Sequence, residues 1–317
     1  MRTRRIGSLE VSIVGVGCNT MGTRLDAGET AGVVAAALEA GITFFDTADM
    51  YGDGLSEEYL GRALGGRRGE AVVATKFGSR GRSMAGGANP AYVRRALEDS
   101  LRRLGTDHVD LYQLHQPDPR TPIADTLAVL DDCVRRGQVV EIGCSNFSAP
   151  QLRAAEAAVA GGAARFVSVQ NRFNLLARGP EAEVLPTCDD LDLAFLPYYP
   201  LANGLLTGKY HPGQPAPVGS RVAGLAPDVA ARLLAPARLT LVERLAAYAD
   251  GLGHSVGELA IAWLASRPSV ASVIAGVTSP AQVRANAAAA VWELTPPELA
   301  DLDRLVPGPG PGPAPSA

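Results

Sequence analysis

Four side chains of this 317-residue chain stand out by type and position: Asp46 and Tyr51 in TFFDTADMYG, Lys76 in VVATKFG, and His115 in DLYQLHQPD. Asp46, Lys76 and His115 each close or follow an apolar run that reads as a buried strand. Taken singly, each has a plain reading. A strand-end aspartate caps a turn, a lysine carries its head to solvent, a histidine is a hydrogen-bonded core residue, and a tyrosine packs. Those readings fail together, because a buried lysine without a partner is costly. As a set they do chemistry. Asp46 pairs with Lys76 and holds its charge. A charged Lys76 beside Tyr51 favours the phenolate and lowers the pKa of the phenol, making Tyr51 a general acid or base near neutral pH. His115 donates to a carbonyl oxygen and orients it. This suits protonation of a carbonyl oxygen while hydride reaches its carbon. No side chain supplies hydride, so a reduced nicotinamide is implied.

The elements that must position these groups alternate along the chain. Eight strand-like runs fall at 13–16, 43–46, 72–76, 111–114, 139–144, 166–169, 193–197 and 273–275. Amphipathic helices lie between them. Asn89–Pro90 offers an N-cap followed by Pro at the first helical position. Val93, Leu97, Leu101 and Leu104 then share one face, and Gly105 stops the helix. Thr121–Pro122 starts the next helix, which runs to Gly137. Ser148 with Pro150, and Ser279–Pro280, open two more, and Ser255 with Glu258 has capping-box spacing. Eight strand–helix units without a linker predict an α/β fold, a closed (β/α)8 TIM barrel. An open doubly wound sheet is the runner-up. It normally shows a Gly-rich fingerprint, and GVGCNTMG at 15–22 lacks that spacing. Arg4–Ile6 and Val11–Ser12, joined by Gly7–Ser8, predict a short N-terminal hairpin. Residues 1–306 read as a single domain, and the Pro/Gly-rich tail 307–317 as disordered.

Composition sets the outer limits. A net charge of −4 points to neither nucleic acid nor an anionic membrane, and no apolar run approaches a membrane span. The N-terminus MRTRRIGSLE lacks the apolar stretch of a secretory signal. Four scattered cysteines, Cys18, Cys133, Cys144 and Cys188, read as reduced thiols in a cytoplasmic protein. Neither they nor the histidines have metal-ligand spacing, so no metal is expected.

A barrel gathers its strand C-termini around one mouth. Here those ends carry Asp46 and Tyr51, Lys76, His115, Ser145 and Asn146, Gln170 and Asn171, Tyr198 and Tyr199, then Gly276, Thr278 and Ser279. Seven consecutive strand ends therefore bring polar groups to that mouth.

At this point the chain resembles the aldo-keto reductases, (β/α)8 barrels that reduce aldehydes and ketones with NADPH or NADH. The blocks are GITFFDTADMYGDGLSEEYLGRAL, VVATKFG, SLRRLGTDHVDLYQLHQPDP, EIGCSNFS, VQNRFNLL, PYYPLANGLLTGKY and IAGVTSPAQVRAN, in order, over about residues 5–302. The resemblance implies a catalytic tetrad of Asp46, Tyr51, Lys76 and His115, with Tyr51 the proton donor. It implies that Ser145, Asn146 and Gln170 hold the nicotinamide carboxamide and that Tyr198 stacks on the ring. Pro200, Leu201, Asn203, Leu205, Gly208 and Lys209 would cross the pyrophosphate, where Gly204 and Gly208 permit close backbone approach. Gly276, Thr278, Ser279, Gln282 and Asn286 would hold the adenosine end, at a helix start suited to phosphate. Asn19, Thr20 and Met21 line the other side, Thr20 and Met21 among the cofactor contacts. Tyr51, His115 and Gln116 would meet the substrate.

Two departures from the family pattern follow. Members that prefer NADP often carry Lys or Arg near the eighth strand and one turn into the next helix, where this chain has Gly276 and Gln282. Only the hydroxyls of Thr278 and Ser279 remain there, and a 2′-phosphate calls for a cation. NADPH is the expected cofactor, with NADH the alternative. The residue after His115, aromatic in several relatives, is Gln116. This fits either a pocket for a small polar or sugar-like carbonyl or a glutamine turned to solvent. The Gly-rich loop 78–88 and the connection after Lys209 are expected to be mobile and to border the pocket. Trp263 and Trp292 fall in helical stretches and read as packing residues. Two other functions are carried along: a Schiff-base lyase using Lys76 as nucleophile, and a nucleotide-binding regulatory subunit of the channel-β type. The expected partner is a small-molecule carbonyl substrate, with no nucleic acid and no membrane, for a monomer or small homo-oligomer.

Overall fold

The computed structural model describes residues 1–79, 87–159 and 161–309. Strands β1 (Thr3–Ile6) and β2 (Leu9–Ser12) form the antiparallel hairpin, turning at Gly7, whose φ is +56°. Its turn is tied to the barrel by Glu141, whose carboxylate accepts from the Ser8 amide at 2.7 Å.

Eight parallel strands close the barrel. They are β3 (Val14–Gly17), β4 (Phe44–Asp46), β5 (Val72–Phe77), β6 (Val109–Leu114), β7 (Val139–Ser145), β8 (Phe166–Arg172), β9 (Ala194–Tyr198) and β10 (Val273–Gly276), with β10 returning to β3. Alternation along each strand divides the apolar residues. In β4, Phe44 joins Ala74, Leu111, Leu196 and Ile274 in a cluster inside the barrel, which Ile6, Leu9 and Val11 of the hairpin plug from below. Phe45, next in sequence, belongs to the larger core between strands and outer helices. The hairpin thus shuts one end and leaves the C-terminal mouth open.

Local signals place the helices where the sequence predicts them. Asp26 and Glu29 box the start of α1 (Ala27–Glu39), and α2 (Leu55–Leu64) follows β4. Asn89 caps α3 (Pro90–Leu104), accepting from the Tyr92 amide, and Gly105 ends it at φ +65°. Ser148 with Gln151 boxes α5 (Ala149–Ala157). Helix α6 (Val184–Asp190) follows β8. The long β9–β10 connection carries α7 (Pro227–Leu233), α8 (Pro236–Asp250) and α9 (Val256–Ala265), the last boxed by Ser255 and Glu258. Ser279 caps α10 (Pro280–Ala289), and α11 (Pro296–Leu305) closes the described chain.

Two boundaries differ from expectation. Helix α4 (Ile123–Arg135) begins after Pro122, because Thr121 spends its hydroxyl on Asp118 at 3.2 Å rather than capping the helix. Trp292 is not helical: α10 ends at Ala289, and the indole stacks on His254 in the turn before Thr295 caps α11, ring centroids 3.9 Å apart. Trp263 lies in α9, fully buried, with the guanidinium groups of Arg178 and Arg267 over its ring. Of loop 78–88, positions 80–86 lie outside the described residues, as does the tail from 310 onward.

Candidate active site

The C-terminal mouth opens into a cavity of about 610 Å³. Asp46 ends β4, Tyr51 stands in the turn that leads to α2, Lys76 lies near the end of β5, and His115 directly follows β6. The barrel brings these four together. Lys76 has no exposed surface, and its Nζ donates to Asp46 Oδ2 at 2.6 Å and to the Thr47 carbonyl at 2.9 Å. The same ammonium lies 5.1 Å from the centroid of the Tyr51 ring, and the His115 ring meets that phenol edge-on at 6.0 Å.

Electrostatics follow from burial and neighbours. Burial alone pulls the Lys76 pKa down, but the fields of Asp46 and Tyr51 outweigh it and leave it above the ordinary lysine value. Lys76 is therefore a fixed ammonium. The expected lowering of the Tyr51 pKa is corrected here. Burial raises it, and the opposing pull of Lys76 only reduces the rise. Tyr51 is accordingly a phenol, not a phenolate, at neutral pH. Burial, with the adjoining Lys76 charge, lowers the His115 pKa to about 3, so this imidazole is neutral across the physiological range. Its Nδ1 is buried without a partner among the described residues.

The carboxylate of Asp46 is more fully held than the sequence indicated. Its second oxygen, Oδ1, accepts from Gln170 Nε2 at 2.8 Å and from Gln113 Nε2 at 3.2 Å. Gln170 thus spends its amide donor inward on Asp46, while the residue still lines the cavity. The network continues around the mouth. Ser145 Oγ donates to the Gln170 carbonyl at 2.7 Å. Asn146 Nδ2 reaches Ser145 Oγ at 3.1 Å and the His115 carbonyl at 3.0 Å, and Asn146 Oδ1 accepts from Tyr198 Oη at 2.8 Å. A chain of hydrogen bonds therefore joins the Lys76–Asp46 pair to Tyr198.

After β9 the backbone is left-handed at Tyr199, Ala202, Asn203, Gly204 and Gly208. Such conformations in non-glycine residues cost about 1–3 kcal/mol each, and the turn holds them with its own hydrogen bonds: the amides of Ala202, Gly204 and Gly208 donate to the carbonyls of Tyr199, Leu201 and Leu205. Cations surround it. Arg24, Lys209 and Arg221 all line the cavity. Arg24 donates to the Gly219 carbonyl at 2.9 Å, and Arg221 donates to Tyr199 Oη at 3.1 Å, bringing the segment 219–221 against the mouth. At the far side Ser279 Oγ accepts from the Gln282 amide, and Gln282 Oε1 accepts from the Thr278 amide at 2.8 Å.

Most residues assigned to this region from the sequence line the cavity, among them Thr20, Ser145, Asn146, Gln170, Tyr198, Pro200, Leu201, Asn203, Lys209, Gly276, Thr278, Gln282 and Asn286. Gln116 lines it too and is half-buried. Four of the assigned cofactor contacts do not line it: Met21, Leu205, Gly208 and Ser279. The side chains of Met21 and Leu205 are fully buried in the hydrophobic core. Sequence reading missed Arg24, Arg221 and Gln113. Arg221 lies far along an irregular Pro/Gly-rich stretch where no local pattern marks it. Gln113 did leave a signal, a glutamine in the otherwise apolar run Leu111–Tyr112–Gln113–Leu114. The cysteines are all buried, and burial drives the Cys18 and Cys144 thiols well above their ordinary pKa, so neither is a nucleophile.

Comparison with known proteins agrees with this geometry. The model of the aldo/keto reductase family matches residues 13–307. The chain is 37% identical over 295 residues to a probable voltage-gated potassium channel subunit beta from Oryza sativa subsp. japonica, covering 89% of this chain and 88% of that one. It is 36% identical over 316 residues to the uncharacterized oxidoreductase YrpG of Bacillus subtilis (strain 168), covering 95% and 94%. Among solved structures it is similar to an aldo-keto reductase from Klebsiella pneumoniae in complex with NADPH, with a TM-score of 0.78, 29% identity, and coverage of 98% and 96%.

Proposed function

The chain belongs to the aldo/keto reductase family, and from that premise we propose that it reduces an aldehyde or ketone to an alcohol with NADPH, Tyr51 giving the proton. The observation that carries this reading is the Lys76–Asp46 ion pair, buried against a protonated Tyr51 at the barrel mouth. NADPH, when bound, supplies the hydride that reaches the carbonyl carbon.

The chain's own residues do the rest. Tyr51 releases its phenolic proton to the carbonyl oxygen. Lys76, kept charged by Asp46, stabilises the phenolate left behind, which lowers the barrier to that transfer. His115 is neutral, so it donates a hydrogen bond to the carbonyl oxygen without competing for the proton. Ser145, Asn146 and Gln170 are the groups for a carboxamide, with Tyr198 as the ring platform. The turn after β9, with the Lys209 and Arg221 cations on the same cavity, is the place for a pyrophosphate. Arg24, Lys209 and Arg221 supply positive charge for the pyrophosphate, which NADPH and NADH share. Gln116 beside His115 favours a polar carbonyl substrate. No helix among the described residues is long and apolar enough to cross a membrane.

The channel-subunit names of some relatives support a second reading, a nucleotide-binding subunit without turnover. One experiment separates the two. Loss of reduced-cofactor absorbance is followed with a panel of aldehydes, ketones and keto sugars. Tyr51→Phe should lose about 10²–10⁴-fold in kcat while still quenching protein fluorescence on NADPH addition. Full activity in Tyr51→Phe removes Tyr51 from the mechanism, and cofactor binding without turnover across the panel favours the second reading. A Schiff-base role for Lys76 has little support, since its amine is held as an ammonium by Asp46.

A further inference from the structure

Strand β6 faces the barrel interior with a residue that its surroundings do not favour. Gln113 has no exposed surface, and its neighbours Leu111, Tyr112 and Leu114 are buried with it. A buried amide is costly unless its hydrogen bonds are made. Among the described residues Gln113 makes one, from Nε2 to Asp46 Oδ1, and its Oε1 is buried without a partner there. The side chain therefore does not serve its own satisfaction. Its register explains its reach, because Gln113 pairs directly with Lys76 on β5. The two stand side by side and hold opposite oxygens of the same carboxylate, Lys76 on Oδ2 and Gln113 on Oδ1.

We propose that Gln113 is a positioning residue that sets the acidity of Tyr51 through Asp46. Asp46 and Lys76 act oppositely on the phenol: the carboxylate raises its pKa and the ammonium lowers it. An amide N–H directed at Oδ1 puts the positive end of a dipole on the carboxylate and offsets part of its negative field. It also fixes the carboxylate so that Oδ2 faces Lys76. Gln170 does the same from β8, but Gln170 lines the cavity and Gln113 does not. Of the two amide donors to Asp46, Gln113 is thus the one whose action is not tied to the cavity contents. Removing it leaves Asp46 less shielded, makes Tyr51 a weaker acid, and moves its ionisation to higher pH.

The inference rests on Tyr51 as the proton donor, and its test separates the two claims. In the full-length protein with saturating NADP⁺, the acid limb of alcohol oxidation reports formation of the Tyr51 phenolate. Gln113→Met should move this limb up by about half to one pH unit, a three- to tenfold loss at a fixed pH on the limb. NADP⁺ binding, read by fluorescence, should be unchanged. Tyrosinate absorbance of the protein minus that of Tyr51→Phe follows the same ionisation without turnover, and should shift upward in the Gln113→Met background. This second readout decides the matter even if the chain proves to have no turnover. A lowered plateau with both the limb and the tyrosinate midpoint unmoved would mean that Gln113 only packs, and would overturn the proposal. Gln113→Leu serves in the same experiments if Gln113→Met does not fold.

Discussion

Asp49, three residues beyond Asp46, shows how burial decides charge near this site. Its carboxyl accepts from Tyr92 Oη at 3.2 Å, while Oδ1 is buried without a partner among the described residues. Burial first, and then the nearby Glu57 carboxylate, push its pKa up to about 6, against smaller opposing effects of Tyr92 and Arg103. The sign of the linkage follows. The folded state favours the acid form, so the charge on Asp49 costs stability above pH 6. That cost is relieved as pH falls through 6 toward the unfolded value near 4. Asn keeps the shape and the acceptor without the charge. Asp49→Asn is therefore expected to stabilise the fold by roughly 1–3 kcal/mol at pH 7–8, the gain vanishing near pH 4. Urea unfolding at several pH values checks this, and an equal gain at all pH values would refute it. Tyr51 obeys the same physics. The sequence put Lys76 beside it and so implied a lowered pKa, but only burial, which depends on the whole fold, shows which effect wins.

Helices α2 and α3 show what elements contribute. They flank the turn that carries Tyr51, and a partly buried ion pair joins them. Glu57 on α2 has no exposed surface and accepts from Arg103 Nε on α3 at 2.6 Å and from Thr75 Oγ1 of β5. The helices can approach this closely because of Gly61. A Cβ there would stand 2.2 Å from the Leu104 carbonyl oxygen, a backbone atom that cannot turn aside. On an isolated helix, Gly to Ala is favourable by about 1 kcal/mol. Here overpacking should reverse the sign, and Gly61→Ala is expected to destabilise by about 1–3 kcal/mol. Thermal unfolding checks it, and a raised Tm would contradict the close packing. The caps of these elements were legible in the sequence: Asn89–Pro90, Ser148, Ser255–Glu258 and Ser279–Pro280 each have a local mechanism. The start of α4 was less legible, since the partner of Thr121 is Asp118, a matter of loop geometry.

Closure of the barrel belongs to the whole molecule, and it is uneven. Strands β6 and β7 share five register pairs, from Val109–Val139 to Leu114–Cys144. Strands β9 and β10 share one, Tyr198 with Ile274, supplemented by a bridge from Phe195 to Val270. Pro197 within β9 has no N–H to give. This seam lies beside the long connection that delivers Arg221 to the cavity. Amide exchange is expected to be faster for Tyr198 and Ile274 than for Tyr112 and Ile142, because the seam opens at a smaller free energy than the β6–β7 pairing. Equal protection on both sides would show that the barrel opens only as a unit.

The sequence by itself determined the strand order, the hairpin and the catalytic candidates, because these rest on local signals. Apolar alternation, caps and glycine stops act within a few residues, and a barrel places strand ends at one mouth whatever its outer helices do. Asp46, Tyr51, Lys76 and His115 were legible for that reason. Tertiary structure alone decided the rest. It turned Gln113 and Gln170 onto Asp46, sent Met21 and Leu205 into the core, and carried Arg24 and Arg221 to the cavity from distant loops. It also fixed the protonation states, leaving Tyr51 a phenol and His115 neutral. Those outcomes depend on which groups lose water and which charges come within a few ångströms. Residue spacing along the chain carries neither quantity, because burial and proximity exist only once the barrel has closed.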